Sequence, residues 1–245
     1  TSHWRRTASR ESRKPLLSPA AAHPLVSRLE ASADPYTKEV MTELPLFIGR
    51  LVSFGPDNYF IQESRGSEPE GVRAVLPRVA CLPTDQFVPG DLVYAIRTGV
   101  DAAGAPVLTR RDPSLAYHVL LNEVPTARSG QIRVLGYACV PGEVATLVLA
   151  PGQPGFNVMG VFIGRKGTTI ARLSKHASVR FNLVEYVENP DELLKLLIPG
   201  FRRTGGRLVV DQRHKAAVAA IPDRALSRIK TKYAYLEELY EQVTG

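Results

Sequence analysis

Residues 161 to 170 read Val161-Phe-Ile-Gly-Arg-Lys-Gly-Thr-Thr-Ile170 and place two cations between two glycines, directly before a predicted helix. Gly164 and Gly167 carry no Cβ atom, so the backbone can turn sharply and a sugar-phosphate strand can lie close to it. The N–H groups that open the following helix point toward phosphate oxygens. Arg165 and Lys166 add positive charge at the same place. The stretch therefore predicts a loop that holds a nucleic-acid backbone.

The charges around this loop are one-sided. Between Val161 and Val184 there is no Asp or Glu. A Gly-x-x-Gly tetrapeptide occurs by chance in many loops, and a run of cations is usually solvated surface, so neither feature is specific by itself. Their coincidence predicts a nucleic-acid site. The predicted RNA-binding residues here are Gly164, Arg165, Lys166, Gly167, Arg172, Lys175 and Arg180, and His176 is interpreted as a surface RNA contact or a neutral bystander.

Hydrophobic patterns on both sides of the loop predict an α-β-β-α-β order. The predicted elements are a helix at 112–124, a hairpin of strands at 132–140 and 144–150, a helix at 168–176 and a strand at 179–186. Pro141-Gly142 supplies the hairpin turn. This order around a Gly-x-x-Gly loop resembles a bacterial-type (type II) KH domain. KH domains clamp about four nucleotides of single-stranded nucleic acid.

The segment before it predicts a five-stranded OB barrel. Short β-like runs at 47–54, 58–64, 71–77, 92–98 and 107–109 are separated by turn signals. OB folds bind single strands through aromatic and basic side chains on an exposed face. The candidates for that face are Tyr59, Phe60, Arg73 and Arg78, with Phe54 and Arg50 beside them.

Tyr59 and Phe60 are neighbours in one predicted strand, so one must face the barrel interior and the other the solvent. The polarity of the tyrosine favours Tyr59 for the outside. The alternative is that half of the aromatic candidates fill the barrel.

From about Leu46 to the C-terminus, the chain resembles the RNA-binding region of the bacterial transcription factor NusA, an S1 domain followed by two KH domains. The resembling blocks are Phe87-Val-Pro-Gly-Asp-Leu-Val93, Leu108-Thr-Arg-Arg-Asp-Pro113, Val158–Gly167, Leu183-Val-Glu-Tyr-Val-Glu-Asn-Pro190 and Arg207-Leu-Val-Val-Asp-Gln-Arg-His-Lys215. The resemblance implies a multi-module β and α/β fold. Its predicted units are an S1 barrel at 46–111, a first KH domain at 112–199 and a second KH domain at 200–245.

The second of these KH domains departs from the family pattern. Its loop falls at Lys230-Thr-Lys-Tyr-Ala234, where both glycines are missing. The Cβ atoms of Thr231 and Ala234 would obstruct a close backbone approach. The chain also stops where the last strand would begin, and residues 222–243 could run as a continuous helix. We therefore expect a degenerate, C-terminally truncated KH unit, kept for packing or for a protein contact.

Composition allows a folded RNA binder and offers no sign of catalysis. The 245 residues carry a net charge of +7 and are 44% hydrophobic, which suits two or three compact units. Cys81 and Cys139 lie far apart, and the five histidines show no metal-binding or catalytic spacing. We expect no enzyme activity, no cofactor, no metal and no small-molecule substrate. No apolar run is long enough to cross a membrane.

Residues 1–45 form a basic arm. Thr1–Arg28 holds six Lys or Arg residues against the single acid Glu11. Such a segment resembles an organellar transit region or the basic arm of a ribonucleoprotein subunit, and an ordinary disordered tail is the alternative. It stands where NusA-like proteins carry their polymerase-docking domain, so docking of the usual kind is not expected.

Three hypotheses follow for the function. The first is single-stranded RNA binding in transcription elongation, termination or antitermination, with RNA polymerase as partner. The second is an rRNA-binding subunit or assembly factor of an organellar ribosome, with ribosomal proteins as partners. The third is a protein-interaction scaffold that keeps residual S1 and KH folds. The expected location is an organelle, the mitochondrion before the plastid, with the bacterial cytoplasm as the alternative.

Overall fold

The structure is a computed structural model that describes residues 45–64, 71–198, 201, 207–211, 216–220 and 235–244. Its strands are β1 (Leu46–Phe54), β2 (Asn58–Glu63), β3 (Arg73–Pro77), β4 (Leu92–Val100), β5 (Pro106–Thr109), β6 (Ile132–Val140), β7 (Val144–Pro151), β8 (Arg180–Glu185), β9 (Arg207–Asp211) and β10 (Ala216–Ala220). Its helices are α1 (Leu115–Glu123), α2 (Pro125–Arg128), α3 (Val158–Ile163), α4 (Thr168–Ala177), α5 (Pro190–Leu197) and α6 (Leu236–Thr244).

Strands β1 to β5 close into a barrel with the neighbour order β1-β2-β3-β5-β4. β3 and β5 run parallel, whereas the other neighbouring strands are antiparallel. Large apolar side chains fill the interior, since Phe47, Leu51, Ile61, Leu76 and Leu108 are almost fully buried. The prediction of a five-stranded, OB-like barrel is confirmed.

The predicted orientation of Tyr59 is wrong. Its ring lies in the barrel core with 8% of the residue exposed, whereas Phe60 is half-buried on the other side of β2. The reason lies at the rim of the barrel, where the Tyr59 hydroxyl accepts a hydrogen bond of 3.0 Å from Arg78 Nη1. A tyrosine can bury its ring when its hydroxyl finds a partner, so its polarity did not force it outward.

The second sheet has the order β6-β7-β8. β6 and β7 form the predicted antiparallel hairpin, and β8 lies parallel to β7. A parallel neighbour needs a crossover connection, which α3 and α4 supply. We call residues 115–197, which hold this sheet and α1 to α5, the mixed unit. Its order contains the predicted helix, hairpin, loop, helix and strand, together with α2 and α3, which the sequence pattern did not predict.

Strand β7 is buried on both faces. Ala145, Leu147 and Leu149 face α1 and α4, whereas Val144 and Val148 face α5 and α6. This division follows from the alternation of side chains along a strand. The sheet is therefore the middle layer between two layers of helices.

One apolar core joins the barrel to the mixed unit. It combines outer-face residues of β1 and β4, among them Ile48, Tyr94 and Ile96, with buried residues of α1 and α4 such as Leu120 and Leu173. The outer face of this part of the barrel is therefore covered by helices. We call this contact between the barrel and the mixed unit the seam.

The C-terminal segment adds the β9-β10 hairpin and α6. The resemblance implied a hairpin that opens at Arg207, and β9 begins there. Helix α6 packs against β6 at Gly136, where an added Cβ would meet Val243 and Leu239 side-chain atoms at 2.6 and 2.8 Å. Residues 1–44 of the predicted arm (1–45), the expected second loop at 230–234 and most of the proposed long helix lie outside the described residues.

Candidate nucleic-acid interface

The Gly-x-x-Gly loop connects two helices by an abrupt change of backbone direction. Helix α3 ends at Gly164, whose N–H donates to Gly160 O at 2.9 Å. A single 3-10 turn, Arg165–Gly167, follows, and then α4 begins. Gly164, Lys166 and Gly167 have φ values of +70°, +54° and +78°. This left-handed backbone is the conformation that glycine adopts most readily, which explains two of the three residue types.

The two glycines meet different surroundings. A Cβ on Gly164 would collide with the side chain of Thr169, at 2.8 Å from its Cβ atom. A Cβ on Gly167 would have no atom within 4 Å. Gly164 is therefore required by packing inside the loop. Gly167 instead presents bare backbone to open space, where a ligand strand can approach closely.

Charge and hydrogen-bond donors surround this open backbone. Arg165 and Lys166 are exposed, and within the described ranges neither side chain forms a hydrogen bond or an ion pair. No side chain from the described residues caps the N–H groups in the first turn of α4. Free N–H groups at a helix N-terminus attract anions. The N–H groups of Gly167 and Thr168 already donate to carbonyl oxygens of Gly164 and Arg165. The loop thus combines two side-chain cations without partners among the described residues with a helix N-terminus that no described side chain caps.

The remaining predicted cations are spread along α4 and beyond it. Arg172 and Lys175 are exposed three residues apart, so they lie on one face of the helix. Arg172 Nε also pairs with Glu123 Oε2 of α1 at 2.8 Å. Arg180 follows the far end of α4, which is about 15 Å long, and its backbone N–H donates to Glu143 O at 3.0 Å. The structure therefore separates Arg180 from the loop.

Glu123 is a residue that the sequence analysis missed. Besides Arg172, it accepts hydrogen bonds from Tyr94 Oη of the barrel at 2.7 Å and from Asn122 Nδ2 at 3.1 Å. Because Arg172 lies far from it in the sequence, no local pattern could have paired the two. The acid offsets part of the positive charge along α4.

His176 belongs to the packing at the seam. Its ring stacks on that of Tyr94 with the centroids 4.2 Å apart. Burial lowers the pKa of His176 below its ordinary value of 6.5, and Glu123 acts in the opposite direction. The neutral ring of His176 is therefore the form that this packing favours.

On the barrel, Phe60 and Arg73 form a stacked pair on the outer face. The guanidinium carbon of Arg73 lies 4.7 Å from the centroid of the Phe60 ring. Arg73 Nη2 also donates to Ser53 Oγ at 3.1 Å. An arginine held over an aromatic ring presents both a charge and the planar guanidinium group.

A second stack lies at the rim of the barrel. Arg78 covers the Tyr59 ring at 4.5 Å, and Phe54, 55% exposed, packs edge-on against Tyr59 with centroids 6.4 Å apart. The Arg50 side chain forms a hydrogen bond to the backbone, with its Nη1 donating to Gly90 O at 3.0 Å. Of the predicted barrel residues, Arg50, Phe54, Arg73 and Arg78 are exposed and Phe60 is half-buried, whereas the Tyr59 ring lies in the core.

The described residues contain no group of three His, Cys, Asp or Glu side chains placed to hold a metal ion. Cys81 and Cys139 are free thiols. Burial raises the pKa of Cys81 to about 11 and that of Cys139 to about 12. Among the described helices, none has the length and apolar character to span a lipid bilayer.

The described chain is thus an OB-like barrel packed on a mixed αβ unit that exposes a cationic Gly-x-x-Gly loop. No protein-family model matches it. Over 142 residues it is 27% identical to the transcription termination/antitermination protein NusA of Thermus thermophilus. This match covers 56% of the chain and 35% of that protein, so the chain spans about a third of its relative's length.

A solved structure described as an exosome complex RNA-binding protein aligns with 82% of this chain and 89% of its own. The identity is 17% and the TM-score is 0.23, which is too low to equate the two folds.

Proposed function

We propose that this chain is a non-enzymatic protein that binds single-stranded RNA, with the arrangement of an S1 domain followed by two KH domains. In this proposal the mixed unit is an intact KH domain, and the C-terminal segment is a degenerate second one. The observation that carries the proposal is the loop at Gly164–Gly167, with its open backbone and its two unpaired cations. The similarity to NusA supports it.

In the proposed mode of binding, the RNA backbone lies across the open side of Gly167. Phosphate oxygens accept hydrogen bonds from N–H groups in the first turn of α4, and Arg165 and Lys166 neutralise their charge. Lys175 and, when it leaves Glu123, Arg172 extend the positive surface along the helix. Contacts of this kind fix the position of the strand without reading its sequence.

The barrel would supply an auxiliary platform for bases. Each RNA base has a π face that can stack on an exposed ring or on a guanidinium plane. The Phe60–Arg73 pair offers such a plane on the outer face, and Phe54 with Arg78 offers one at the rim. These contacts would add affinity with little preference among bases.

Charge reversal in the loop tests the proposal. In the Arg165→Asp/Lys166→Asp variant, the like charges repel phosphates, so we expect affinity for single-stranded RNA to fall about tenfold or more at moderate salt. The slope of log affinity against log salt concentration should fall by about 2. Fluorescence anisotropy with labelled RNA at several salt concentrations measures both.

The matched control is Arg128→Asp/Arg133→Asp, which changes the net charge by the same amount at two exposed cations away from the loop. A folded loop variant that binds RNA no more weakly than this control would overturn the proposed clamp. It would then favour the protein-interaction scaffold.

For the cellular role, we propose transcription elongation, termination or antitermination, in association with RNA polymerase. The support is the similarity to a protein named for transcription termination and antitermination. The test is co-purification of the tagged chain with RNA polymerase after nuclease treatment. An association that survives the nuclease supports a direct role in transcription.

A second candidate is an rRNA-binding subunit or assembly factor of a mitochondrial ribosome. The basic composition of Thr1–Arg28 favours it, because organellar transit regions and ribonucleoprotein arms share that composition. Co-sedimentation with a ribosomal subunit, without RNA polymerase in the nuclease-treated eluate, would favour this candidate over the first. Imaging of the tagged chain tests the proposed mitochondrial location.

A further inference from the structure

A buried ion pair lies at the seam. Arg110 directly follows β5 and is 2% exposed. Its Nε lies 2.8 Å from Asp85 Oδ2, and the Asp85 side chain is 1% exposed. The same carboxylate oxygen accepts a hydrogen bond from Leu82 N at 2.8 Å. Both charged groups belong to the barrel segment of the chain.

The pair reaches across the seam to the end of α4. Arg110 Nη2 donates to Ser178 Oγ at 2.7 Å, and Arg110 Nη1 donates to the carbonyl oxygen of His176 at 3.2 Å. The Ser178 hydroxyl in turn donates to Asp85 Oδ1 at 3.0 Å. Arg110 also donates to the carbonyl oxygen of Tyr94. Arg110, Asp85 and Ser178 thus form a closed ring of hydrogen bonds, in which each side chain bonds to the other two.

These hydrogen bonds hold the C-terminal end of α4, the helix that follows the Gly-x-x-Gly loop. Ser178 is the C-cap of α4 and has a φ of +52°, a left-handed conformation that is uncommon for serine. The Arg110 cation sits at the C-terminal end of the helix, where it complements the helix dipole. The other end of α4 carries the Gly-x-x-Gly loop, about 15 Å away along the helix. A fixed C-terminus therefore fixes the position of the loop.

The candidate RNA surface of the barrel, which holds the Phe60–Arg73 pair, is connected to the same seam through β1. Ile48 of β1 is packed in the shared core, and Ser53 on the same strand accepts the hydrogen bond from Arg73. Five residues of strand span about 17 Å. The two candidate RNA surfaces thus extend from one junction, one along a helix and the other along a strand.

We propose that Arg110, Asp85 and Ser178 form a positioning network. It holds the loop and the barrel face at a set separation, so that one RNA strand engages both. This inference rests on the proposed function, and it makes the three residues determinants of affinity for long RNA although they do not touch it. When two sites are held in a geometry that one ligand can span, the second contact becomes intramolecular and the affinity rises without any new contact.

The test uses Ser178→Gly, because glycine adopts a positive φ readily and the substitution removes both hydroxyl bonds. Removing Arg110 would instead leave Asp85 buried without its charge partner and could unfold the protein. The probes are unstructured RNAs from about 4 to about 20 nucleotides, which span one site and then both. Circular dichroism checks that each variant is folded.

We expect Ser178→Gly to bind the short RNA as the wild type does and the longest RNA about tenfold more weakly. In the Arg165→Asp/Lys166→Asp background, where the loop no longer contributes, Ser178→Gly should have no further effect on the long RNA. This non-additivity is the signature of coupling through the seam. Ser129→Gly, which removes a local hydroxyl bond to Thr126 O, is the matched control and should leave both affinities unchanged.

Two results would overturn the inference. One is an unchanged long-RNA affinity in folded Ser178→Gly, and the other is an equal loss for short and long RNA. Both are distinct from a failure of the clamp itself, in which the loop variant alone binds every RNA as the wild type does.

Discussion

Gly164 and Gly167 share a left-handed backbone, but they meet different physical needs. Gly164 avoids a collision with Thr169 inside the loop, whereas Gly167 faces open space. A side chain at the first position therefore disturbs the fold of the loop. At the second position it leaves the contacts of the fold intact and occupies the space through which a ligand strand would approach.

The paired substitutions Gly164→Ala and Gly167→Ala separate these needs. Left-handed strain and the collision should reduce the free energy of unfolding of Gly164→Ala by about 2 to 4 kcal/mol. Gly167→Ala introduces backbone strain without the collision, so its free energy of unfolding should fall by about 1 kcal/mol. Its RNA affinity should fall severalfold. Urea unfolding and RNA anisotropy measure the two effects.

Gly104→Ala is the control for backbone strain, since Gly104 has a φ of +81° and open space around it. It should lose as much stability as Gly167→Ala and no RNA affinity. Equal RNA affinities in these two variants would show that Gly167 is not a contact surface.

Among the elements, β2 has one face that packs in the barrel core and an opposite face that is a candidate RNA-binding surface. Tyr59 fills the barrel and Phe60 carries Arg73 on the outside. The alternation of a strand dictates that the two neighbours face opposite sides. The alternation does not determine which of the two rings faces the barrel interior. Tyr59 can do so because Arg78 at the rim donates a hydrogen bond to its hydroxyl.

Substitution of each aromatic residue by alanine tests this division. Tyr59→Ala removes a core ring and should lower the free energy of unfolding by about 3 kcal/mol or more. Phe60→Ala should cost less than about 1 kcal/mol of stability but weaken RNA binding, since a stacked base contributes about 1 to 3 kcal/mol. Urea unfolding curves and RNA titrations of both variants provide the comparison. If Phe60→Ala bound RNA as tightly as the wild type, the outer face of β2 would have no role in binding.

Local sequence patterns predicted the elements and the loop well. Alternation and turn residues located β1 to β5, and Pro141-Gly142 located the β6-β7 hairpin. The short helix α3 escaped prediction, although Asn157, whose side chain accepts from Gly160 N at 2.8 Å, is a capping signal that could have indicated it.

The whole molecule depends on contacts that no local pattern contains. Ser178 meets Asp85 and Arg110 only because the barrel packs on the mixed unit, and Glu123 meets Arg172 because α1 packs against α4 inside that unit. Charge counting along the sequence singled out Arg165 and Lys166, which the structure exposes in the loop. It could not find the acid beside Arg172, nor the buried pair that joins the two parts.

The two described histidines, His118 and His176, give the folded molecule a dependence on pH. Burial lowers the pKa of His118 from its ordinary value of 6.5, and Asp112 opposes this shift. Burial also lowers the pKa of His176, against the effect of Glu123. His118 Nδ1 is buried without a hydrogen-bond partner among the described residues, which fits a neutral ring. Both histidines therefore bind protons more readily in the unfolded chain.

Because the unfolded chain takes up these protons first, stability should be complete above a pH of about 6.5 and should fall as the pH decreases below it. Urea unfolding at about pH 7.5 and about pH 5.5 measures the loss. In the His118→Gln/His176→Gln variant, these two protonation steps are absent, so the midpoint should shift less between the two pH values. Carboxylates remain largely ionised throughout this window and contribute little. A midpoint shift of the same size in the variant and the wild type would assign the pH dependence to other groups.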